Sequence, residues 1–356
     1  MSLKPSHPEK APRILVFGMG GTIAGLASAP DKPLEYVAGQ VGIDSLVTQI
    51  KSAIPEIALV SRQLANINSR NLGESLLSLL GQTIKSSLDD PNVTGIVVTH
   101  GTDTIEETGI FLQVICGKLA HQLNKRVVLT GAMLPSNAPE ADGPSNLLDA
   151  IQWASMPMDT CPGGIYAVFD GKACLAMHLS KRHATALNAP LQASPTSSFG
   201  LISPSWLSGV KEIEAAWIED LPIPSEGEWP WVEILTSHAG ARSETVGLWA
   251  ESGVKGLVLA GSGMGGFHDA WLEPLKLAVS RGIALVRTSR TGAGATLPNI
   301  PEKELPGCLA SGALSAPRAR IALQLAINAE KQAKLAGKSL TWQDFFARIA
   351  FLPEIK

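Results

Sequence analysis

Cysteine is scarce and scattered. The four cysteines, Cys116, Cys161, Cys174 and Cys308, lie far apart and none belongs to a CxxC pair. Such spacing supplies neither a disulfide framework nor a zinc cage; it fits a reducing cytoplasm, with each thiol buried as a small apolar group. An excess of charge of one sign is also missing. The net charge is −3 and no basic run occurs, which argues against nucleic acid as the main partner. No apolar run approaches the roughly 20 residues that a membrane span requires. The opening stretch, MSLKPSHPEKAP, is polar and Pro-rich and lacks the apolar core of a secretory signal. His100, His178 and His183 do not have metal-ligand spacing, so no metal site is expected. No repeat at a solenoid period is found.

With 45% hydrophobic and 17% charged residues, the chain is globular in class. A length of 356 residues favours two domains. Short β-rich runs ending in glycine or small polar residues alternate with segments of helical spacing. Arg13 to Phe17 reads as the first central strand and ends in GMGGT. Ala24 to Gly42, which carries Tyr36, is rich in Gly, Ala, Pro and charge and reads as a mobile loop without elements. Ala58 to Asn66 reads as a strand, and Asn71 as the N-cap of a helix from Leu72 to Leu88. Further strands are expected at Gly95 to Val98, Arg126 to Leu129, and in a hairpin around Asp170-Gly171. Pro204 to Trp231 has no clear period. The expected division is a larger N-terminal α/β domain over 1–210, a linker over 211–230, and a smaller α/β domain over 231–356. The order of elements implies mainly parallel sheets flanked by helices.

The most informative stretch is VVTHGTDTIEET, Val97 to Thr108. It ends a buried strand and opens a helix, the usual place for a site in an open α/β sheet. The helix mouth offers free N–H groups that suit an anion or a developing oxyanion. A plainer reading is a capping box, with Thr102 or Asp103 as cap and Glu106 as its partner. That accounts for one hydroxyl and one acid, not for six polar residues in eight positions. A second motif, Gly261 to Gly266, matches GxGxxG between a strand and a helix. Arg287 and Arg290 stand where the ribose-binding acid is expected, so this reading is an NADP-binding unit. Lys181 taken alone is a solvated surface charge; it gains meaning only if the fold brings it to Asp103, where burial could lower its pKa enough for it to act as a base.

Four blocks carry a resemblance: GGTIAG (Gly20 to Gly25), THGTDTIEET (Thr99 to Thr108), TGAM with DGPSNLLDAI (within Thr130 to Ile151), and ASGALSAPRARIALQLA (Ala310 to Ala326). In these the chain resembles the bacterial-type L-asparaginase family over nearly its whole length. The resemblance implies two α/β domains and no metal or organic cofactor. It also implies a homotetramer of tight dimers, with each site completed by the neighbour's C-terminal domain. It places the nucleophilic threonine at Thr22, the loop tyrosine at Tyr36, and the second threonine, aspartate and lysine at Thr102, Asp103 and Lys181. Ser69 would hold the substrate α-carboxylate, and the Ala132 carbonyl the leaving amide; Gly21, Arg70 and Gly101 complete the expected substrate contacts.

The implied reaction hydrolyses the side-chain amide of L-asparagine through a threonine acyl-enzyme, the Tyr36 loop closing over the substrate. Lys181 would be the base, Tyr36 a relay to Thr22, and backbone N–H groups near Gly21 and Thr102 the oxyanion donors. Three positions depart from the family pattern. Arg70 replaces a glutamine or small residue, Met264 replaces an asparagine, and the neighbouring subunit's amine-binding glutamate is matched only by Glu302 or Glu304, off register. All three serve the head of an amino-acid substrate. The alternatives are therefore a related amidase with shifted substrate (D-asparagine, L-glutamine or another small carboxy-amide), a non-catalytic binding protein on the same fold, and an amidotransferase subunit acting on charged tRNA. The last lacks support from an extra N-terminal domain or a basic surface.

Overall fold

A computed structural model describes residues 12–157, 160–187, 198–201, 219–298 and 305–351. In chain order its elements are β1 (Arg13–Gly20), β2 (Leu26–Ala27), β3 (Tyr36–Val37), α1 (Ile43–Ile50), β4 (Leu59–Ile67), α2 (Glu74–Leu88), β5 (Val93–Thr99), α3 (Ile105–Gln122), β6 (Arg126–Thr130), α4 (Gly143–Ala154), β7 (Gly164–Phe169), β8 (Lys172–Leu175), β9 (Ser198–Leu201), β10 (Val232–Thr236), α5 (Ser243–Glu251), β11 (Gly256–Gly261), α6 (Leu272–Ser280), β12 (Ala284–Ser289), β13 (Cys308–Ala310), α7 (Ala316–Leu335) and α8 (Trp342–Ala350). The protein is α/β. One sheet runs β4-β1-β5-β6-β7-β8-β9, parallel from β4 through β7 and antiparallel beyond; the other, β10-β11-β12-β13, is wholly parallel. The residues Ile96, Val97 and Val98 of β5 are all fully buried, as expected of a parallel strand covered on both faces.

The second sheet shows the strand period directly. Val258 and Val286 face the core shared with α7 and the first sheet, whereas Leu257, Leu259 and Leu285 face a separate cluster built with Val246 of α5 and Leu275 of α6. Helix α7 also packs on α3 and α8, so it lies between the two sheets. No helix among the described residues is long and apolar enough to cross a membrane.

Several boundaries differ from the sequence reading. Asn71 does not cap α2. It ends a 3₁₀ turn, Ser69–Asn71, and the cap position is Gly73. The stretch from Ala24 to Gly42 is not element-free: it contains the antiparallel pair β2–β3, with Ala27 opposite Tyr36. The Asp170-Gly171 hairpin forms as expected, both residues having positive φ. Residues 211–218 of the expected linker, and Glu302 and Glu304, lie outside the described residues.

Candidate active site

The centre of the site exists because three chain segments approach without side chains between them. β1 runs out through Gly20 and Gly21, at φ of 92° and 82°. A Cβ on Gly21 would lie 2.4 Å from the Gly101 Cα, and one on Gly101 would lie 2.5 Å from the Ser69 Oγ. Only glycine permits both the left-handed backbone and this closeness. The ends of β1 and β5 and the turn after β4 thereby meet.

Thr22 opens a 3₁₀ turn, Thr22–Ala24, and is buried. Its Oγ1 lies 2.8 Å from the Tyr36 hydroxyl. Tyr36 is delivered by β3, and Asn137 pins the hairpin: its Oδ1 accepts from the Ala27 N–H at 2.8 Å, while its Nδ2 donates to the Ala27 carbonyl at 3.0 Å. A second set forms past the end of β5. Lys181 Nζ donates to Thr102 Oγ1 at 3.0 Å and to Asp103 Oδ1 at 2.6 Å. The Lys181 side chain is only 19% exposed, so it is not the solvated surface charge that it resembles in isolation. Among the described residues no hydrogen bond joins the Thr22–Tyr36 pair to the Thr102–Asp103–Lys181 set.

His100 supports this second set. The ring is buried, with Nδ1 2.8 Å from the Gly101 carbonyl and Nε2 3.0 Å from the Thr108 hydroxyl. A carbonyl only accepts, so Nδ1 carries the hydrogen and Nε2 accepts from Thr108. Burial pushes the His100 pKa down to about 4, with the Gly101 hydrogen bond acting the other way.

The capping-box reading fails. The N-cap of α3 is Thr104, without a side-chain cap bond, and its hydroxyl donates to the Ser69 carbonyl at 2.9 Å. Glu106 turns instead to α7, accepting from Ser315 Oγ at 3.2 Å and lying 3.8 Å from Arg318. Burial raises the Glu106 pKa and Arg318 opposes that rise.

Ala132 is buried in the loop after β6. Asp142 shapes that loop, accepting from the N–H groups of Met133 and Leu134, each at 2.9 Å, and from Asn146 Nδ2 at 3.1 Å. Ser69 is buried, whereas Arg70 is exposed and has no ion-pair partner among the described residues. The N–H of Gly21 donates to the Ile67 carbonyl at 2.8 Å, which removes it as an oxyanion donor. The Thr22 and Thr102 N–H groups donate to no protein acceptor among the described residues. Asn137, His100, Asp142 and Asn146 had no role assigned from sequence. Asp142 and Asn146 were visible in the DGPSN block, but the contacts of His100 and Asn137 carried no local signal.

The GxGxxG segment does not form a dinucleotide site. Ser262 and Gly266 bridge each other, and a Cβ on Gly261 would meet the Gly266 carbonyl oxygen at 2.4 Å. The loop closes on itself before α6, and the mouth of a helix is not presented there. Arg287 is buried and donates to the carbonyls of Met264 at 2.8 Å and Leu297 at 2.6 Å, so it is not free to hold a phosphate. Among the described residues no group of three His, Cys, Asp or Glu side chains could hold a metal ion.

Residues 13–203 match the family described as Asparaginase, N-terminal, and residues 231–336 match the Glutaminase/Asparaginase C-terminal domain. The chain belongs to the asparaginase family. It is therefore an amidohydrolase. It is 34% identical over 333 residues to L-asparaginase 2 of Bacillus subtilis, covering 92% of this chain and 85% of that one. It is 31% identical over 324 residues to L-asparaginase 2 of Escherichia coli, covering 90% of each. The crystal structure of a probable cytoplasmic L-asparaginase from Campylobacter jejuni aligns with a TM-score of 0.76 at 29% identity, covering 95% of this asparaginase and 99% of that chain.

Proposed function

We propose that this asparaginase hydrolyses the side-chain amide of L-asparagine to L-aspartate and ammonia, with Thr22 as nucleophile. The observation that carries the reading is the pairing of two hydroxyls with two proton-handling partners across the Gly21–Gly101 contact. Thr22 lies 2.8 Å from Tyr36, and Thr102 lies 3.0 Å from Lys181, itself held by Asp103. Tyr36 acts as a proton relay: as Oγ1 bonds to the amide carbon, the Thr22 proton passes to the Tyr36 oxygen while the phenol's own proton passes on to the amide nitrogen. The C–N bond then breaks and the nitrogen leaves as ammonia after taking up a proton. Lys181 is placed to exchange a proton with Thr102. The ester is hydrolysed by water, which returns the proton to Thr22. The Thr22 and Thr102 N–H groups are the oxyanion donors. Ser69 takes the substrate α-carboxylate and the Ala132 carbonyl the amide.

A shifted substrate is the second reading, supported by the exposed guanidinium of Arg70 beside Ser69, which has no ion-pair partner among the described residues. We also infer the domain division at 211–230, a homotetramer of tight dimers, and a cytoplasmic location, the last supported by the likeness to the probable cytoplasmic L-asparaginase of Campylobacter jejuni. Light scattering tests the tetramer; fractionation tests the location. The function is tested by ammonia release from L-asparagine, D-asparagine, L-glutamine and a dicarboxylic mono-amide, with Thr22→Ala as control. L-asparagine turnover that vanishes in the variant supports the first reading. Thr22-dependent release from another amide alone supports the second. No release from any of them overturns both.

A further inference from the structure

A cavity of about 230 Å³ lies where the segment after β8 meets the loop after β12 and the start of α7. None of Thr22, Tyr36, Ser69, Thr102 or Lys181 lines it, so it is separate from the site above. Its walls carry Arg182 and Arg318 and no acidic side chain. Arg318 is spent internally, donating to the carbonyls of Met177 at 2.6 Å and Ala313 at 3.0 Å and to Ser315 Oγ at 3.1 Å. Arg182 is exposed and has no carboxylate within ion-pair distance among the described residues. His178 also lines the cavity, and its Nδ1 is buried with no hydrogen-bond partner among the described residues. Thr288, Ser289 and Ser315 add hydroxyls. The wall formed by Gly292 to Ala295 has only hydrogens and methyls for side chains, and the N-terminal end of α7, a helix of 20 residues, opens beside it at Ser315. Arg318 is also paired with Glu106 at 3.8 Å, so the positive charge offered to a ligand is that of Arg182; with the orphaned ring nitrogen, the hydroxyls and a helix N-terminus around one void it forms an environment for a negative charge.

We propose that this cavity binds a small carboxylate, of about the size of succinate, and that its occupancy is felt at Lys181. The volume corresponds to roughly seven or eight waters at ~30 Å³ each, which suits a molecule of that size. The coupling follows from chain connectivity. Lys181 stands between His178 and Arg182 on one short segment, so a ligand drawing on Arg182 pulls on the residue next to the lysine. The far wall is tied to the same set, because Ser315 and Arg318 hold Glu106 in the first turn of the helix that Asp103 precedes. Binding stands apart from the amidase reading; only the coupling rests on it.

Isothermal calorimetry of the full chain with succinate, and separately with sulfate, tests this. Arg182→Ala and the cavity-filling Ala313→Leu should each weaken succinate binding at least tenfold. Ser69→Ala, in the substrate site, should leave a site of wild-type affinity. Loss in Ser69→Ala with no change in Arg182→Ala would place the ligand in the substrate site and overturn the proposal, as would no binding at millimolar succinate. Sulfate binding more tightly than succinate with the same Arg182 dependence would overturn the carboxylate assignment. In ammonia-release assays at saturating amide, succinate should change kcat at least twofold in the wild type and not in Arg182→Ala; equal responses would overturn the coupling. Calorimetry needs no turnover, so failure of the amidase reading leaves the binding result interpretable.

Discussion

Tyr36 and Thr22 share one contact, and that contact divides the work of the site. If Tyr36 relays the Thr22 proton, Tyr36→Phe should lower kcat by about 10²–10⁴-fold, the usual range for general acid–base catalysis, with KM little changed; steady-state kinetics measures the split. A KM effect alone would make Tyr36 a substrate contact. The proposed role of Arg70 is at the other end of the substrate. A guanidinium there, exposed and without an ion-pair partner among the described residues, would repel an α-amine and favour an additional carboxylate, so Arg70→Gln should raise kcat/KM for L-asparagine. Loss of activity on every substrate would count against the idea. His100, which is buried, and His178, which is largely so, make a prediction about pH. His100 and His178 are both held down to about 4, chiefly by burial, with Arg318 adding to the effect on His178. In the unfolded chain they titrate near 6.5. Between those values the unfolded state binds more protons, so stability falls as pH drops through that window, by up to about 3 kcal/mol per histidine. Denaturant titrations at neutral pH and near the lower limit should show the drop, and His178→Gln should remove roughly half of it. An unchanged drop in the variant would assign the effect to other groups.

The β2–β3 hairpin shows how an element of two-residue strands is held. Nothing in its sequence calls for strands, because alternation is legible only over about four to eight residues. What fixes it is Asn137, 110 positions away in the chain, which bonds both backbone groups of Ala27. Asn137→Ala should therefore loosen the segment that carries Tyr36 while leaving the sheets intact. Hydrogen exchange should rise at residues 25–37 and kcat fall, with Tm nearly unchanged. A large fall in Tm with uniform exchange would mean that Asn137 supports the fold and not the hairpin. The same reasoning explains what else was legible. β1, β5 and β6 carry apolar runs closed by glycine or small polar residues, and these runs are readable to within a few residues. The clustering of hydroxyls and an acid after β5 is what points to the candidate site in the sequence. The Lys181–Asp103 bond was not readable from the residues themselves, because it joins positions 78 apart. The role of Glu106 was misread because its partners, Ser315 and Arg318, arrive from the far end of the chain.

Those partners are the N-cap and the first turn of α7, and at the scale of the whole molecule α7 makes the two sheets one body. Ile321, Ala322, Leu323 and Leu325 are fully buried in the core that reaches both sheets. Its polar side chains work in the same direction. Arg318 bonds the Met177 carbonyl and faces Glu106, Arg320 pairs with Glu107 at 2.9 Å, and Gln324 donates to the Pro230 carbonyl at 2.9 Å. Burial lowers the Arg318 pKa, and Glu106 counters that, so the buried charge depends on its partner. Arg318→Met keeps much of the apolar volume but leaves Glu106 without its cation and the Met177 and Ala313 carbonyls without a donor. Removing one member of a buried pair costs about 3–5 kcal/mol. Because the helix is common to both sheets, that cost should fall on a single cooperative transition, seen as one calorimetric peak moved to lower temperature. Two separated peaks would show instead that each sheet unfolds by itself and that α7 does not couple them. Adding Glu106→Gln should recover part of the loss, since the uncompensated carboxylate is then gone; a double variant no more stable than Arg318→Met would show that the lost carbonyl bonds, and not the bare charge, carry the cost.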